Sequence, residues 1–134
     1  MGILKVYQEL ESIAKEFSKI VMDTRIIKLP SGEPLKLRVY IVDESFLDVW
    51  SSISGKYSYH WERRHIDGKI YRHDNAQVWE QIKTFPRHFH KGEEKNVVES
   101  AISSNPKEAI REVWGFVKNI LFIDKGGNEK HQGD

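Results

Sequence analysis

The sequence of 134 residues contains no cysteine. This absence excludes disulfides, thiolate zinc sites, iron–sulfur clusters and a cysteine nucleophile. Histidine and carboxylate side chains therefore remain as the strong metal ligands and acid–base groups. No apolar run approaches the roughly 20 residues of a membrane-spanning helix, and the N-terminus lacks the pattern of a secretory signal. These absences predict a cytosolic protein with no membrane segment.

An excess of charge of one sign is also missing, because 21 basic and 20 acidic residues give a net charge of +1. The charges are nevertheless distributed unevenly, since residues 53–91 carry eight basic and four acidic side chains. Five of the six histidines fall in the same stretch: His60, His65, His73, His88 and His90. We therefore expect any chemistry in the middle of the chain.

Amphipathic helices are predicted at both ends of one small domain. Apolar residues recur at steps of three and four over residues 3–22, and again over residues 106–123. Asn105 is suited to be the N-cap of the second helix, with Pro106 at its first position. The polar, glycine-containing residues 125–134 predict a flexible tail, so that the domain spans residues 1–124.

Strands are predicted between the two helices. Period-two alternation from Leu35 to Ile41 indicates a strand with one buried face. Asp67-Gly68 is well suited to a two-residue hairpin turn, which would place Arg63 opposite Arg72. A short helix is expected over Gln77–Lys83. The predicted fold class is α+β: an antiparallel sheet of four to five strands with the N- and C-terminal helices packed on one face.

The segment Phe85-Pro86-Arg87-His88-Phe89-His90 contains two histidines separated by one residue. In an extended chain, the His88 and His90 side chains project to the same side, about 7 Å apart. Two such imidazoles can transfer protons near neutral pH or bind a metal ion. The plain alternative is a pair of exposed polar side chains with no chemical role.

Three motifs together resemble a known family. They are Tyr57-Ser58-Tyr59-His60-Trp61, Arg72-x-Asp74-Asn75-Ala76 and Phe85-Pro86-x-His88-x-His90 followed by Gly92. Their order and spacing resemble those of the TumE-type toxins of prokaryotic type II toxin–antitoxin modules. The resemblance implies a small toxin that acts on RNA, and a helix-turn-helix antitoxin that binds and silences it.

The chain departs from the pattern of that family at two places. His73 stands where the family tends to have tryptophan, and Gln77-Val78-Trp79 stands where it tends to have Pro-His-His. If that histidine pair takes part in the activity of the family, this chain would lack it.

A ribonuclease that works without metal needs a base, an acid and a cation beside the phosphate. We predict that His88 and His90 supply the acid and the base, and that Arg72 binds the phosphate. His60 is a third proton-transfer group, and Asp74 orients an imidazole or pairs with Arg72. The expected RNA contacts are Arg63, Arg64, Tyr71 and Arg87. No cofactor and no metal ion is part of this prediction.

Two other interpretations stay open at this point. In the first, the protein is a non-catalytic RNA- or partner-binding module in which Tyr57, Tyr59 and Trp61 stack on bases. In the second, His60, Asp74, His88 and His90 bind a divalent ion in a nuclease or hydrolase. RNA and the antitoxin are the predicted partners, and a homodimer is left open.

Overall fold

The computed structural model describes the backbone of residues 2–133 and the side chains of residues 2–123. Within this part, three helices and seven strands follow one another. In chain order they are α1 (Ile3–Glu16), β1 (Val21–Lys28), β2 (Pro34–Ile41), β3 (Phe46–Ser51), β4 (Tyr57–Arg63), α2 (Arg64–Asp67), β5 (Lys69–Asp74), β6 (His88–Gly92), β7 (Val97–Glu99) and α3 (Pro106–Gly133).

The seven strands form one antiparallel sheet in which each strand pairs with the next along the chain. The α+β class and the antiparallel sheet are therefore confirmed, with more strands than the four to five predicted. Strand β7 contains three residues, which is too short for an alternating pattern to appear in the sequence.

The helices α1 and α3 cover one face of this sheet. Apolar side chains of β2 to β6 form the core with those of the two helices. Phe116 of α3 contacts the rings of Trp61, Tyr71 and Phe89, which come from three neighbouring strands. Helix α1 ends at Glu16 rather than near residue 22, because Phe17 leaves the helical conformation and Val21 begins β1.

The opposite face of the sheet is polar. Side chains alternate between the two faces of a strand, so the residues between the core positions point away from the helices. His60 lies opposite Arg72 across β4 and β5. Arg72 in turn lies opposite His90, and Asp74 lies opposite His88, across β5 and β6. The strand pairing therefore places these five residues on one surface.

The predicted hairpin register is wrong. Arg63 pairs with Lys69 instead of Arg72, because the turn is longer than two residues. The chain makes the helical turn α2 and then reverses at Gly68, whose φ of 78° is left-handed. Asp67 stabilises this turn by accepting hydrogen bonds from Arg63 Nε at 3.0 Å and from the Lys69 amide at 3.1 Å.

Two further predictions concern the segments around β6 and α3. Residues 77–83 form turns instead of the expected helix. The backbone amides of Ile82 and Phe85 donate isolated hydrogen bonds to the carbonyl oxygens of the residues three positions earlier.

The start of α3 is confirmed, since Asn105 Oδ1 accepts hydrogen bonds from the amides of Lys107 and Glu108 at 3.0 and 3.2 Å.

The assigned helix α3 continues to Gly133, past the end expected near residue 124. The flexible tail over residues 125–134 stays a prediction, because the side chains beyond residue 123 lie outside the described residues. Among the described residues, no helix is both long enough and apolar enough to cross a membrane.

Candidate active site

Asp74, at the end of β5, lies at the centre of the polar face. Its Oδ1 is 2.9 Å from His88 Nε2, and its Oδ2 is 3.7 Å from His90 Nε2. Arg72 Nε donates to Oδ2 at 3.0 Å, and the amide of Ala76 donates to Oδ1 at 3.0 Å. The carboxylate therefore joins the histidines of β6 to the arginine of its own strand.

The two histidines of β6 are held in fixed orientations. Their Nδ1 atoms lie 3.0 Å from the Pro86 carbonyl oxygen for His88 and 2.9 Å from the Glu94 carbonyl oxygen for His90. A carbonyl oxygen only accepts hydrogen bonds, so each Nδ1 carries a proton and each Nε2 faces Asp74. The His88 and His90 side chains are 1% and 5% exposed. Burial lowers the pKa of His90.

Arg72 connects this group to His60 on β4. Its Nη1 lies 3.2 Å from His60 Nδ1, and a guanidinium only donates hydrogen bonds. His60 Nδ1 is therefore the acceptor, and the opposite ring nitrogen, Nε2, donates to Glu62 Oε1 at 3.0 Å. Hydrogen bonds from Arg64 lower the pKa of Glu62 to about 2, so this carboxylate stays charged beside His60. The network thus orients the imidazole from both sides.

The guanidinium of Arg72 also binds the Glu94 carboxylate through two parallel hydrogen bonds of 2.7 and 3.0 Å. This hydrogen bonding lowers the pKa of Glu94. The Glu94 side chain lies in the turn between β6 and β7 and is 48% exposed. A paired arginine fork is the geometry that binds a phosphate. Glu94 therefore occupies the position that a phosphate group on Arg72 would take.

A family model described as "Toxin TumE" matches residues 10–121. This chain belongs to the TumE toxin family. Membership makes it the toxin component of a toxin–antitoxin system, with an antitoxin as its expected partner. No curated protein and no solved structure gives a match.

The predicted catalytic residues of this TumE toxin lie together. His60, Arg72, Asp74, His88 and His90 form one connected network through the contacts given above. Sequence reasoning missed Glu62 and Glu94. The signal for Glu62 is its place two residues after His60 in a strand, which puts both side chains on one face. Glu94 lies in a turn and has no such signal.

The four residues expected to contact RNA lie in different environments. Tyr71 and Arg63 are 9% and 4% exposed, because they point to the helix-covered face. Arg63 pairs there with Asp43 and Asp67. Tyr71 and Arg63 therefore stabilise the fold, and we do not propose that they contact RNA.

The other two of these residues lie nearer the surface. Arg87 Nη1 donates to the carbonyl oxygen of Ile102 at 3.0 Å, so its guanidinium is engaged with the backbone. Arg64 is the most exposed of the four, with a side chain 57% exposed although it pairs with Glu62.

The aromatic residues proposed to stack on bases are mostly in the core. Tyr59 and Trp61 are 4% and 1% exposed, and they lie on the helix-covered face of β4. This burial keeps both side chains away from RNA bases. It therefore argues against the binding module in which Tyr57, Tyr59 and Trp61 stack on bases. An exposed aromatic side chain is found elsewhere, since Trp50 at the end of β3 is 39% exposed.

Trp50 borders a cavity of about 670 Å³ that also reaches Asp74. Lys56, Tyr57 and Asn75 line the same cavity. The Tyr57 hydroxyl itself is buried, and it has no hydrogen-bond partner among the described residues. The cavity therefore offers an aromatic surface and a cation immediately beside the histidine–arginine network.

The two departures from the TumE pattern have different surroundings. His73 points to the core, where its ring stacks on Phe89 with centroids 4.1 Å apart. Burial there lowers the pKa of His73 to about 4, so it is neutral and takes no part in the polar face. Trp79 instead lies beside the site, with its ring 6.3 Å from that of His88 and 6.2 Å from that of His90.

Proposed function

We propose that this TumE toxin acts in the cytoplasm by cleaving RNA at the histidine–arginine network of its polar sheet face. One observation carries the proposal: the guanidinium of Arg72 contacts both His60 and Asp74, and Asp74 contacts the two histidines of β6. A guanidinium and three imidazoles therefore belong to one connected group of side chains, which supports a role in binding and cleaving a phosphodiester.

Cleavage through the ribose 2′-hydroxyl needs a base for that hydroxyl, an acid for the leaving 5′-oxygen and a cation for the phosphate. Arg72 is the cation, and RNA binding displaces Glu94 from it. His60 is the base, because its Nδ1 accepts a hydrogen bond and Glu62 stabilises the protonated ring. In a metal-free site the acid is His90, which lies opposite Arg72, while His88 positions Asp74.

The antitoxin in this proposal is a helix-turn-helix protein that silences the toxin by covering the polar face. Membership of a toxin family supports the existence of such a partner. All the proposed catalytic residues come from one chain, so the mechanism does not need a homodimer.

Substitution of the proton-transfer residues tests the mechanism. His60→Ala and His90→Ala should each lower the rate of RNA cleavage by about 10²-fold or more, the usual contribution of a positioned acid or base. RNA affinity should be nearly unchanged, because neither residue is the phosphate-binding cation. Rates and affinities are measured on one fluorescently labelled RNA.

The control for these variants is His65→Ala, which removes a histidine of α2 whose Nε2 contacts the Glu44 carbonyl oxygen outside the network. It should retain the wild-type rate. Cleavage at the wild-type rate by His60→Ala and His90→Ala would refute the assigned roles. Tight RNA binding by wild type without any cleavage would favour the binding-module alternative.

The cavity at Trp50 is expected to hold a nucleobase next to the cleaved phosphate. Stacking of a base on an aromatic side chain contributes about 1–3 kcal/mol, so Trp50→Ala should weaken RNA binding by about 5- to 150-fold. Trp50→Phe should retain most of the affinity. Fluorescence anisotropy measures both variants, and unchanged binding by Trp50→Ala would exclude the cavity from the RNA path.

A further inference from the structure

Three potential metal ligands meet at the end of β5 and the start of β6. A carboxylate oxygen of Asp74 and one ring nitrogen each of His88 and His90 lie within 4.8 Å of one another, and all three residues are buried. Two imidazoles and one carboxylate are a common ligand set for divalent transition metals. Clusters of potential ligands that occur by chance on a protein surface are exposed, whereas these three residues are buried.

The orientation of the imidazoles is the second observation. Because both Nδ1 atoms donate to backbone carbonyls, the Nε2 atoms of both rings face the Asp74 carboxylate. A ring nitrogen that faces a carboxylate needs a positive charge between the two, which either a proton or a metal ion can provide. Histidine ligands of metals usually have this arrangement, in which the other ring nitrogen donates to a carbonyl or carboxylate.

The distances agree with such a cation. His90 Nε2 is 3.7 Å from Asp74 Oδ2, which is too far for a hydrogen bond. Two ligands bound to one tetrahedral ion at about 2.1 Å lie about 3.4 Å apart. The separation of 3.7 Å at His90 is close to that value, whereas the 2.9 Å between His88 Nε2 and Asp74 Oδ1 is the length of a hydrogen bond.

We propose that Asp74, His88 and His90 bind one divalent transition-metal ion of the class that accepts nitrogen and oxygen ligands, such as Zn²⁺. Mg²⁺ and Ca²⁺ are disfavoured, because they prefer oxygen ligands. Three protein ligands leave a coordination position for water or substrate, as in catalytic zinc sites.

Binding of the ion depends only on the geometry of the three ligands, whereas its catalytic meaning rests on the proposed function. With the ion bound, His88 and His90 are ligands, and a water on the ion replaces His90 as the acid. Arg72 and His60 keep their roles at the phosphate and the 2′-hydroxyl. The metal ion is therefore a second cation in the same site as Arg72.

Calorimetric titration of the full chain with Zn²⁺, after treatment with EDTA and dialysis, tests the binding. We expect one equivalent to bind to wild type and to raise its thermal midpoint. Asp74→Asn and His90→Gln should weaken binding by more than about 100-fold, the upper range for loss of an outer-shell partner. His65→Ala should bind as wild type does. Circular dichroism checks that each variant is folded.

Tryptophan fluorescence locates the bound ion. Ni²⁺ should quench the emission of wild type through Trp79, which lies beside both histidine rings, and Trp79→Phe should lose most of this quenching. No Zn²⁺ binding by wild type, or equal binding by the Asp74→Asn and His90→Gln variants, would overturn the inference.

The two proposals fail in different ways. If Zn²⁺ binds as expected but the protein cleaves no RNA, the metal site stands and the proposed function falls. If EDTA-treated protein binds no metal but cleaves RNA at the full rate, the metal site falls and the metal-free mechanism stands.

Discussion

Replacement of Arg72 by alanine is expected to lower the rate of RNA cleavage by about 10²- to 10³-fold, the usual cost of removing one group that stabilises transition-state charge. RNA affinity should fall as well, because the guanidinium binds the phosphate before and during the reaction. Arg72→Lys should restore little, since an ammonium group cannot reproduce the paired hydrogen bonds of the fork. Initial rates and dissociation constants are measured on the same RNA at one salt concentration.

Arg38→Ala is the matched control for this prediction. Arg38 lies on the same polar face, three strands away from Arg72, and binds Asp48 through two hydrogen bonds of 2.8 Å. Asp48 lies opposite His60, and it keeps its contact with Lys36 at 2.9 Å when Arg38 is removed. Its side chain is 26% exposed, compared with 21% for Arg72. Arg38→Ala should leave the cleavage rate within a few-fold of wild type. An equal loss of cleavage in both variants would mean that Arg72 acts through the stability of the sheet.

The contact between Arg72 and Glu94 allows a second test of phosphate binding by Arg72. Glu94→Ala removes the carboxylate that occupies the guanidinium, so RNA should bind more tightly to this variant than to wild type. Weaker RNA binding by Glu94→Ala would argue against a phosphate at this position.

Replacement of Trp61 by alanine is expected to lower the free energy of unfolding by about 3–5 kcal/mol, the usual cost of truncating a buried tryptophan. The indole is 1% exposed, and its Nε1 donates to Ser45 Oγ at 2.8 Å. The Arg63 guanidinium lies over one side of the ring, and Phe116 of α3 contacts it edge-on. Urea unfolding followed by circular dichroism measures the loss.

Trp61→Phe separates a core role from a base-stacking role. This variant keeps an aromatic ring but loses the hydrogen bond to Ser45, so it should lose about 1 kcal/mol of stability and retain full RNA affinity. Weaker RNA binding by a Trp61 variant of wild-type stability would instead support base stacking on Trp61, which the burial of this side chain argues against.

Hydrophobic periodicity was sufficient to predict the class of fold and the two long helices. It could not fix the register of β4 against β5, because Asp67-Gly68 fits both a two-residue turn and the end of the helical turn α2. The difference matters for the site. A register displaced by an odd number of residues moves every side chain of a strand to the other face, and the predicted register would have separated His60 from Arg72.

The candidate site was predictable to the extent that it depends on alternation within a strand. His88 and His90 share a face because they are two residues apart in β6, and Arg72 and Asp74 do so in β5. The contacts between strands were beyond the sequence, since they depend on register. The position of Trp79 beside the histidines could not be predicted either, because residues 77–83 form turns and turns have no periodic sequence pattern.

The central claim is that the polar face of this TumE toxin cleaves RNA through Asp74 and its neighbours. The most direct measurement is the rate of RNA cleavage by wild-type protein freed of antitoxin, beside Asp74→Asn, which keeps the shape of the side chain and removes its charge. Wild type should cleave RNA and slow growth when it is expressed, and Asp74→Asn should cleave at least about 10²-fold more slowly. Equal rates for the two proteins, or a wild type that neither cleaves RNA nor slows growth, would contradict this mechanism.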